Sequence, residues 1–520
     1  MKKVLLFTIT LLFGITIVSC SGDSGGVTPV TPTSVTLDQT SLSLKVGDTF
    51  KLIATVNPSY ADNKTVNWTS LDANVASVSS GLVTAINPGE TSIIVTTEVG
   101  GKTATCKVVV EEPVIPFTGL SFTSSGTTNI ALCKVGSPDN INLEYSKGTG
   151  DWSEYTVGTY IELKDKESVS FQATETGNAN FSKDFDNYYQ FSISGEGTIA
   201  AFGNIMSLLD RTLSQKSVPY NCFTNLFKSC SKLTSAPELP ATTLANSCYS
   251  RMFFGCTSLT KAPELPATTL ASSCYGRMFY NCESLNQAPE LPATVLYDNC
   301  YYYMFGYCKS LSKAPELPAT TLAKECYSNM FEGTSLIVAP KLPAITLVNG
   351  CYYNMFYECK SLIQAPELPA TNLQPSCYEC MFSNCTSLAK APKLPATTLA
   401  SYCYSDMFSN CTSLNEAPEL PATNLQPHCY ESMFCNCTSL AKAPELLATT
   451  LASDCYVFMF NGCTNLNYVK ALFTTEPSEL YTNQWLEDVA SKGTFIKNKN
   501  ASWNVTGPYG VPSGWDIEFE

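Results

Sequence analysis

The 520-residue chain has one histidine, 15% charged residues and a net charge of −14. That histidine, His428, fills a position taken elsewhere by Ser, Asn, Glu, Tyr or Asp. A Ser-His or Cys-His nucleophilic pair therefore has almost no candidate. A glycine-rich loop followed by lysine is missing as well, which excludes a phosphate cradle of that kind. No basic stripe interrupts the acidic balance, so nucleic acid is not an expected partner. The one long apolar run, Val4 to Val18, is too short and too one-sided to span a membrane. Cys429, Cys435 and Cys437 form the densest thiol cluster, yet they lack the paired spacing of a closed zinc site, so neither metal nor cofactor is expected.

What the chain does have is one 26-residue phrase written ten times between Cys222 and about Phe473. Its first full statement is Cys248-Tyr249-Ser250-Arg251-Met252-Phe253, continuing through Cys256, Leu259 and Ala262-Pro263-Glu264-Leu265-Pro266-Ala267 to Leu270. The leading cysteine returns at 274, 300, 326, 351, 377, 403, 429 and 455, with one residue lost after Cys326. A fixed period of this length means a solenoid. In the first half, the apolar positions fall within an arc of about 140° at roughly 100° per residue, which predicts a short helix with one buried face. The second half, Ser-Leu-x-x-Ala-Pro-x-Leu-Pro-Ala, is too rich in proline for a helix and predicts a strand with a turn. Stacking ten such turns buries what one turn cannot, over roughly 48 Å at the parallel-strand spacing.

These residues resemble the leucine-rich repeats of BspA-like bacterial surface proteins, in which Phe-x-x-Cys-x-x-Leu precedes a short strand and a proline. The resemblance covers about half of the chain. One departure is the Pro263-type residue inside every strand, which removes a ladder donor and should leave the sheet narrow or bulged.

Upstream, Met1-Lys2-Lys3 and the apolar run read as a secretory leader over residues 1–19. Ile17-Val18-Ser19-Cys20 resembles the bacterial lipobox, which implies lipidation of Cys20. Acyl chains at ~0.8 kcal/mol per buried CH₂ would then anchor the chain to a membrane. Residues 20–33 read as a lipidated, flexible linker. From 34 to 112, short alternating strands predict a β-sandwich. There Leu44-Lys45-Val46-Gly47-Asp48, Val66-Asn67-Trp68-Thr69-Ser70, Val75-Ala76-Ser77-Val78, Gly81-Leu82-Val83 and Pro88-Gly89 resemble the bacterial Ig-like group 2 domain. Such modules imply a spacer more often than a binding site.

Residues 114–200 read as a second β-sandwich, whose Tyr145, Trp152, Tyr155 and Tyr188 are either core or a carbohydrate platform. Residues 201–473 are the leucine-rich-repeat solenoid, with Phe202 to Tyr220 capping its leading edge. In the terminal segment, 474–520, Trp485 to Val489 reads as a short helix, and the whole reads as a cap on the last open edge. The fold class is thus multidomain: two Ig-like β-sandwiches, then a solenoid of short parallel strands and short helices, then a cap.

Ten cysteines hold the first repeat position and nine the second, the tenth being lost beside Thr334. Two in one repeat are eight residues apart, about 12 Å along a helix and beyond disulfide reach, so they read as a buried reduced ladder. Cys380 and Cys435 fall off the buried arc and read as exposed thiols. The column Glu264, Glu290, Glu316, Lys341, Glu367, Lys393, Glu419, Glu445 reads as a solvated face balanced by Lys261, Lys313, Lys390 and Lys442. Phe254, Tyr280, Tyr302, Tyr303, Tyr307, Tyr353 and Tyr357 also lie off the arc and are the ligand-binding candidates, since rigid amphipathic rings suit binding surfaces. The expectation is a non-enzymatic surface lipoprotein of the bacterial outer membrane, facing outward, whose repeats bind a protein or glycan on host or neighbouring bacteria. Carbohydrate capture or processing, and an architectural surface or fimbria-associated role, are the alternatives.

Overall fold

The computed structural model describes residues 29–111, 119–148 and 151–520. The leader and Cys20 lie outside the described residues. The chain divides into two compact units, Met1–Pro116 and Phe117–Glu520.

In the first unit, alternating apolar residues make a two-layer β-sandwich. One sheet runs Ser41–Lys45, Thr103–Glu111, Gly89–Thr97, Val66–Ser70; the other runs Thr49–Lys51, Leu82–Ala85, Ala76–Ser79. Between them Leu44, Leu52, Val83, Ile93, Cys106 and Val108 close the core, with Trp68 packed against it. Gly81 has φ +83°, and a Cβ there would meet the Leu52 carbonyl oxygen at 2.7 Å, so the turn requires glycine.

The second unit begins with another pair of sheets. Six strands run in the order Ser153–Tyr155, Leu143–Lys147, Ser168–Ala173, Leu120–Ser125, Thr198–Phe202, Leu233–Ser235. Facing them are Ile161–Leu163, Thr128–Val135 and Tyr188–Gly195. The last strand of the larger sheet already belongs to the repeats, and Thr198–Phe202 pairs with it in parallel. One hydrophobic core therefore runs from Phe122 and Phe171 through the solenoid without a break at residue 200. Tyr155 belongs to it, its hydroxyl donating to the Thr159 carbonyl and accepting from the Leu132 amide, and Tyr188 is buried beneath Lys228.

The repeat's second half is as narrow as its prolines demand. Successive turns meet through single-residue parallel bridges such as Lys261 with Gln287 and Lys313 with Val338. Its first half differs from the expected helix. From Ser247 to Cys256, alternate amides bond back three residues, as Ser250 to Ser247 (3.1 Å) and Met252 to Tyr249 (3.2 Å). The amides between them bond to the next turn, as Tyr249 to Cys274 (3.0 Å) and Arg251 to Gly276 (2.9 Å). Every fourth residue is left-handed: Ser247 (φ 57°), Arg251 (54°) and Gly255 (72°). The element is a row of β-turns stitched to its neighbours. It wins over a helix because half of its amides satisfy the adjacent turn, which an isolated helical turn cannot do.

The four-residue step places Cys248, Met252 and Cys256 on one inward line and Tyr249 and Phe253 on another, all of them buried. Tyr249 to Tyr275 stack at 6.0 Å and Phe253 to Phe279 at 5.6 Å, nearly parallel, and both columns continue to Tyr456 and Phe460. Phe191, from the sandwich, is the rung before the first repeat: it stacks on Phe227 at 5.2 Å and its amide bonds to the Leu226 carbonyl. At the other end Trp485 stacks on Tyr456 and Trp503 on Phe473. The strands Tyr468–Ala471, Thr494–Lys497 and Asp516–Phe519 form a parallel sheet there. Trp485 to Asp488 are turns rather than the expected helix, because they repeat the left-handed step at Gln484 and Asp488; the short helix is Glu479–Thr482.

The cysteines are free among the described residues. Second-position thiols donate to the Phe carbonyl of the preceding turn, Cys256 to Phe227 (3.0 Å) and Cys282 to Phe253 (3.1 Å). At the turn that lacks this cysteine, Thr334 donates to Phe331 within its own turn (2.8 Å). Cys380 and Cys435 are half-buried rather than exposed, because the turn row wraps them more closely than a helix would.

Candidate binding face

The turn row has four outward columns, and in most turns small or polar residues fill them. In the middle turns they carry rings. Phe254 stacks on Tyr280 at 4.9 Å, and Tyr280 meets Tyr303 (5.7 Å) and Tyr307 (5.5 Å) edge to face. Tyr302 meets Tyr303 at 4.6 Å, also edge to face, and the Arg277 guanidinium lies about 5 Å from both rings. Five of the seven ring candidates thus form one contiguous patch. Tyr353 and Tyr357 stand in the columns beyond it.

All seven are half-buried rather than exposed. Gly306 and Gly333 explain the depth: a Cβ on Gly306 would lie 2.9 Å from the Tyr280 ring, and one on Gly333 2.6 Å from the Tyr307 ring. The rings lie down over bare backbone. At the patch's edge sits Glu332, 7% exposed, in a column that elsewhere carries Phe254, Tyr280 and Tyr357. The Tyr307 hydroxyl donates to its Oε1 (2.6 Å) and the Asn329 amide to its Oε2 (2.6 Å). Burial, then the nearby Glu332 carboxylate, pushes the Tyr303 phenol well up. For Tyr307, burial comes first and its hydrogen bond to that carboxylate second. Both phenols stay protonated donors at neutral pH. Sequence reasoning missed Glu332 and Arg277; the signal for the first was an acid breaking an aromatic column.

Further along the face, His428 stacks on Tyr402 at 4.3 Å, and its ring nitrogens lie 2.7 Å from Glu431 and 3.6 Å from Asp454. On the proline side, successive Ala-Pro-Glu-Leu-Pro ridges leave shallow grooves of about 510 to 770 Å³. Lys390 pairs there at 3.2 Å with Glu416, the residue of its own column in the next turn rather than one of the Glu264 column.

The two folds together define a bacterial Ig-like module joined to a leucine-rich-repeat body. Family models agree: residues 31–108 match the bacterial Ig-like domain (group 2), and the BspA type leucine rich repeat region matches in six copies across 216–363, 328–441 and 351–477. The repeat matches together span just over half of the chain, which therefore belongs to the BspA-type leucine-rich-repeat family.

Similar proteins include an alpha-L-arabinofuranosidase of Bifidobacterium longum subsp. longum, 36% identical over 132 residues, which is 24% of this chain and 12% of that enzyme. An uncharacterized protein of Clostridium acetobutylicum is 37% identical over 16% of this chain and 22% of its own length. An Ig-like virion protein of Serratia phage KSP90 is 41% identical over 16% of this chain and 32% of its own. The chain thus spans less than a third of the length of these relatives. Ig-like and leucine-rich-repeat modules are typically non-catalytic, and their pairing supports a surface protein with a repeat-based binding role.

Proposed function

We propose that this protein is a secreted lipoprotein, anchored through Cys20 to the bacterial outer membrane and facing outward, that adheres to a protein ligand through its turn face. The observation that supports this reading is the contiguous patch of Phe254, Tyr280, Tyr302, Tyr303 and Tyr307, with Arg277 above it and Glu332 at its edge. Rings fixed by their neighbours lose little entropy on binding, and protonated phenols beside a guanidinium supply directional donors. The Ig-like module serves as the spacer between membrane and repeats. A glycan ligand is the second reading, favoured by the same rings, and an architectural role is the third.

The test is an array of extracellular-matrix proteins and glycans probed with residues 29–520. A protein ligand is expected to bind, and Tyr302→Ser combined with Phe254→Ser to weaken it at least tenfold, about 1.4 kcal/mol. Glycan-only binding would move the assignment to the second reading. Binding by residues 29–111 alone, or binding unchanged in the double variant, would refute the turn face as the site.

A further inference from the structure

The turn that starts at Cys326 departs from the pattern at four positions on its proline side. There Ile337 takes a place held by Thr260, Asn286, Ser312 and Asn415. Val338 takes that of Lys261, Gln287 and Lys313, Ile345 that of Thr268, Thr294 and Thr320, and Lys341 that of Glu264, Glu290 and Glu316. The next turn adds Ile363 in the column of Ile337. Core packing does not account for these aliphatic side chains, which stand in solvent: Ile337 and Val338 at 47% exposed, Ile363 at 58% and Ile345 at 69%.

Ile337 and Ile363 are direct neighbours, joined by a 3.0 Å bond from the Ile363 amide to the Ile337 carbonyl, and Val338 is bridged to the turns on both sides. A groove of about 770 Å³ leads from Ile363 over Pro366 and Pro392 to Lys393. Lys313, Lys341, Lys360 and Lys393 surround this ground, exposed, and none has a carboxylate within salt-bridge distance among the described residues; Glu316 and Glu367 are the acids between them. On a chain of net charge −14, the patch is locally basic.

We propose that this turn carries a second docking site, for an extended acidic and aliphatic segment of another protein, centred on Ile337, Val338 and Ile363 and framed by Lys341 and Lys393. Contiguous aliphatic side chains in solvent, rimmed by charge, mark protein contacts. The flat, narrow bridge ladder offers an extended chain a surface without a deep cavity, and the lysines select carboxylates over ammonium groups by simple complementarity. The site is independent of the ring patch, because it uses none of its side chains.

Its test uses the full chain and two labelled probes, a peptide alternating valine with glutamate and one alternating valine with lysine, read by fluorescence anisotropy. The first should bind at least tenfold tighter than the second. Ile337→Ser, Val338→Gln, Ile345→Thr and Ile363→Ser together install residues that sister turns carry without adding charge, so the fold is retained, as an unchanged circular dichroism spectrum would verify. That variant, and Lys341→Glu separately, should each lose at least tenfold in affinity for the glutamate peptide. Absence of binding, equal binding of both peptides, or an affinity untouched by these changes would overturn the proposal. So would a wild-type dimer that the four-fold variant turns into a monomer, since the patch would then cover a second copy.

Discussion

Raising the pH should unfold the solenoid abruptly, and the thiol ladder sets where. All nineteen repeat cysteines are held by burial above the ordinary thiol value of 9.0; Cys274, Cys351, Cys403 and Cys411, for example, are pushed up to about 12. Burial does the same to the buried tyrosine column, Tyr275 and Tyr301 among it. The folded chain therefore keeps its protons to higher pH than the unfolded chain does. Stability is intact below the unfolded thiol pKa and falls as the pH rises through and beyond it. Each thiol costs RT ln 2, about 0.4 kcal/mol, when the pH equals its unfolded pKa, and about 1.4 kcal/mol one unit higher.

Over nineteen thiols that is roughly 8 kcal/mol near pH 9 and over 20 kcal/mol near pH 10, against a typical folding stability of about 5–15 kcal/mol. Cooperative loss of structure is expected between about pH 9 and pH 10, reversible on return to neutral under reductant. Circular dichroism follows the fold while ultraviolet thiolate absorbance counts the ionised cysteines. The two curves should coincide. Thiols that ionise near their ordinary value while the spectrum of the fold stays unchanged would refute the buried ladder, and so would alkylation of the denatured, unreduced protein that finds most thiols blocked.

Other perturbations test other parts. Cys20→Ala should release the protein from the membrane fraction; unchanged association, or continued incorporation of labelled fatty acid, would place the anchor elsewhere. Phe305→Ala removes a rung stacked at 5.7 Å on both Phe279 and Phe331, and urea unfolding should report a loss of about 3–5 kcal/mol, with less than half of that arguing against a close-packed column. Tyr307→Phe takes one of two donors from the Glu332 carboxylate and should cost about 1.5–3 kcal/mol, whereas Tyr302→Ser should cost under about 1 kcal/mol; equal losses would contradict the separate roles assigned to these rings.

The period, the modules and the buried columns were legible because stacking makes each core position recur. The local backbone was not. Cys248, Tyr249, Met252, Phe253 and Cys256 fit a helical arc, and they fit a four-residue turn row equally well. The deciding signal lay two columns away, where Gly255, Asn281, Gly333, Asn384, Asn410, Asn436 and Gly462 line up. Glycine and asparagine tolerate a left-handed backbone and disfavour a helix, so a column of them argues for a turn in every repeat. Phe191 was invisible for another reason: it plays a repeat residue's part from outside the repeat. At the candidate site, the rings were legible as off-arc residues, but their depth depends on Gly306 and Gly333 in neighbouring turns, and Glu332 drew no notice because acids are ordinary on a solvated face.

That distinction bears on where function can reside in a solenoid. A core column must be filled alike in every turn, since each rung is the next rung's packing partner, and the Tyr and Phe columns hold to this along the whole stack. An outward column is free of that demand, so a ligand can be met only by turns that differ from their sisters there. The rings stand in the turn row from Phe254 to Tyr307 and again at Tyr353 and Tyr357, and the one turn that has lost a residue, which carries Glu332 and Thr334, lies between them and holds Ile337, Val338 and Ile345 on its proline side. Shortening the turn leaves the Leu and Phe columns in place, since Leu336 and Phe331 remain fully buried, and costs the core one thiol rung, where Thr334 bonds within its own turn. The middle of the stack is therefore where recognition can be specific, and the more regular turns on either side serve to hold it rigid and display it.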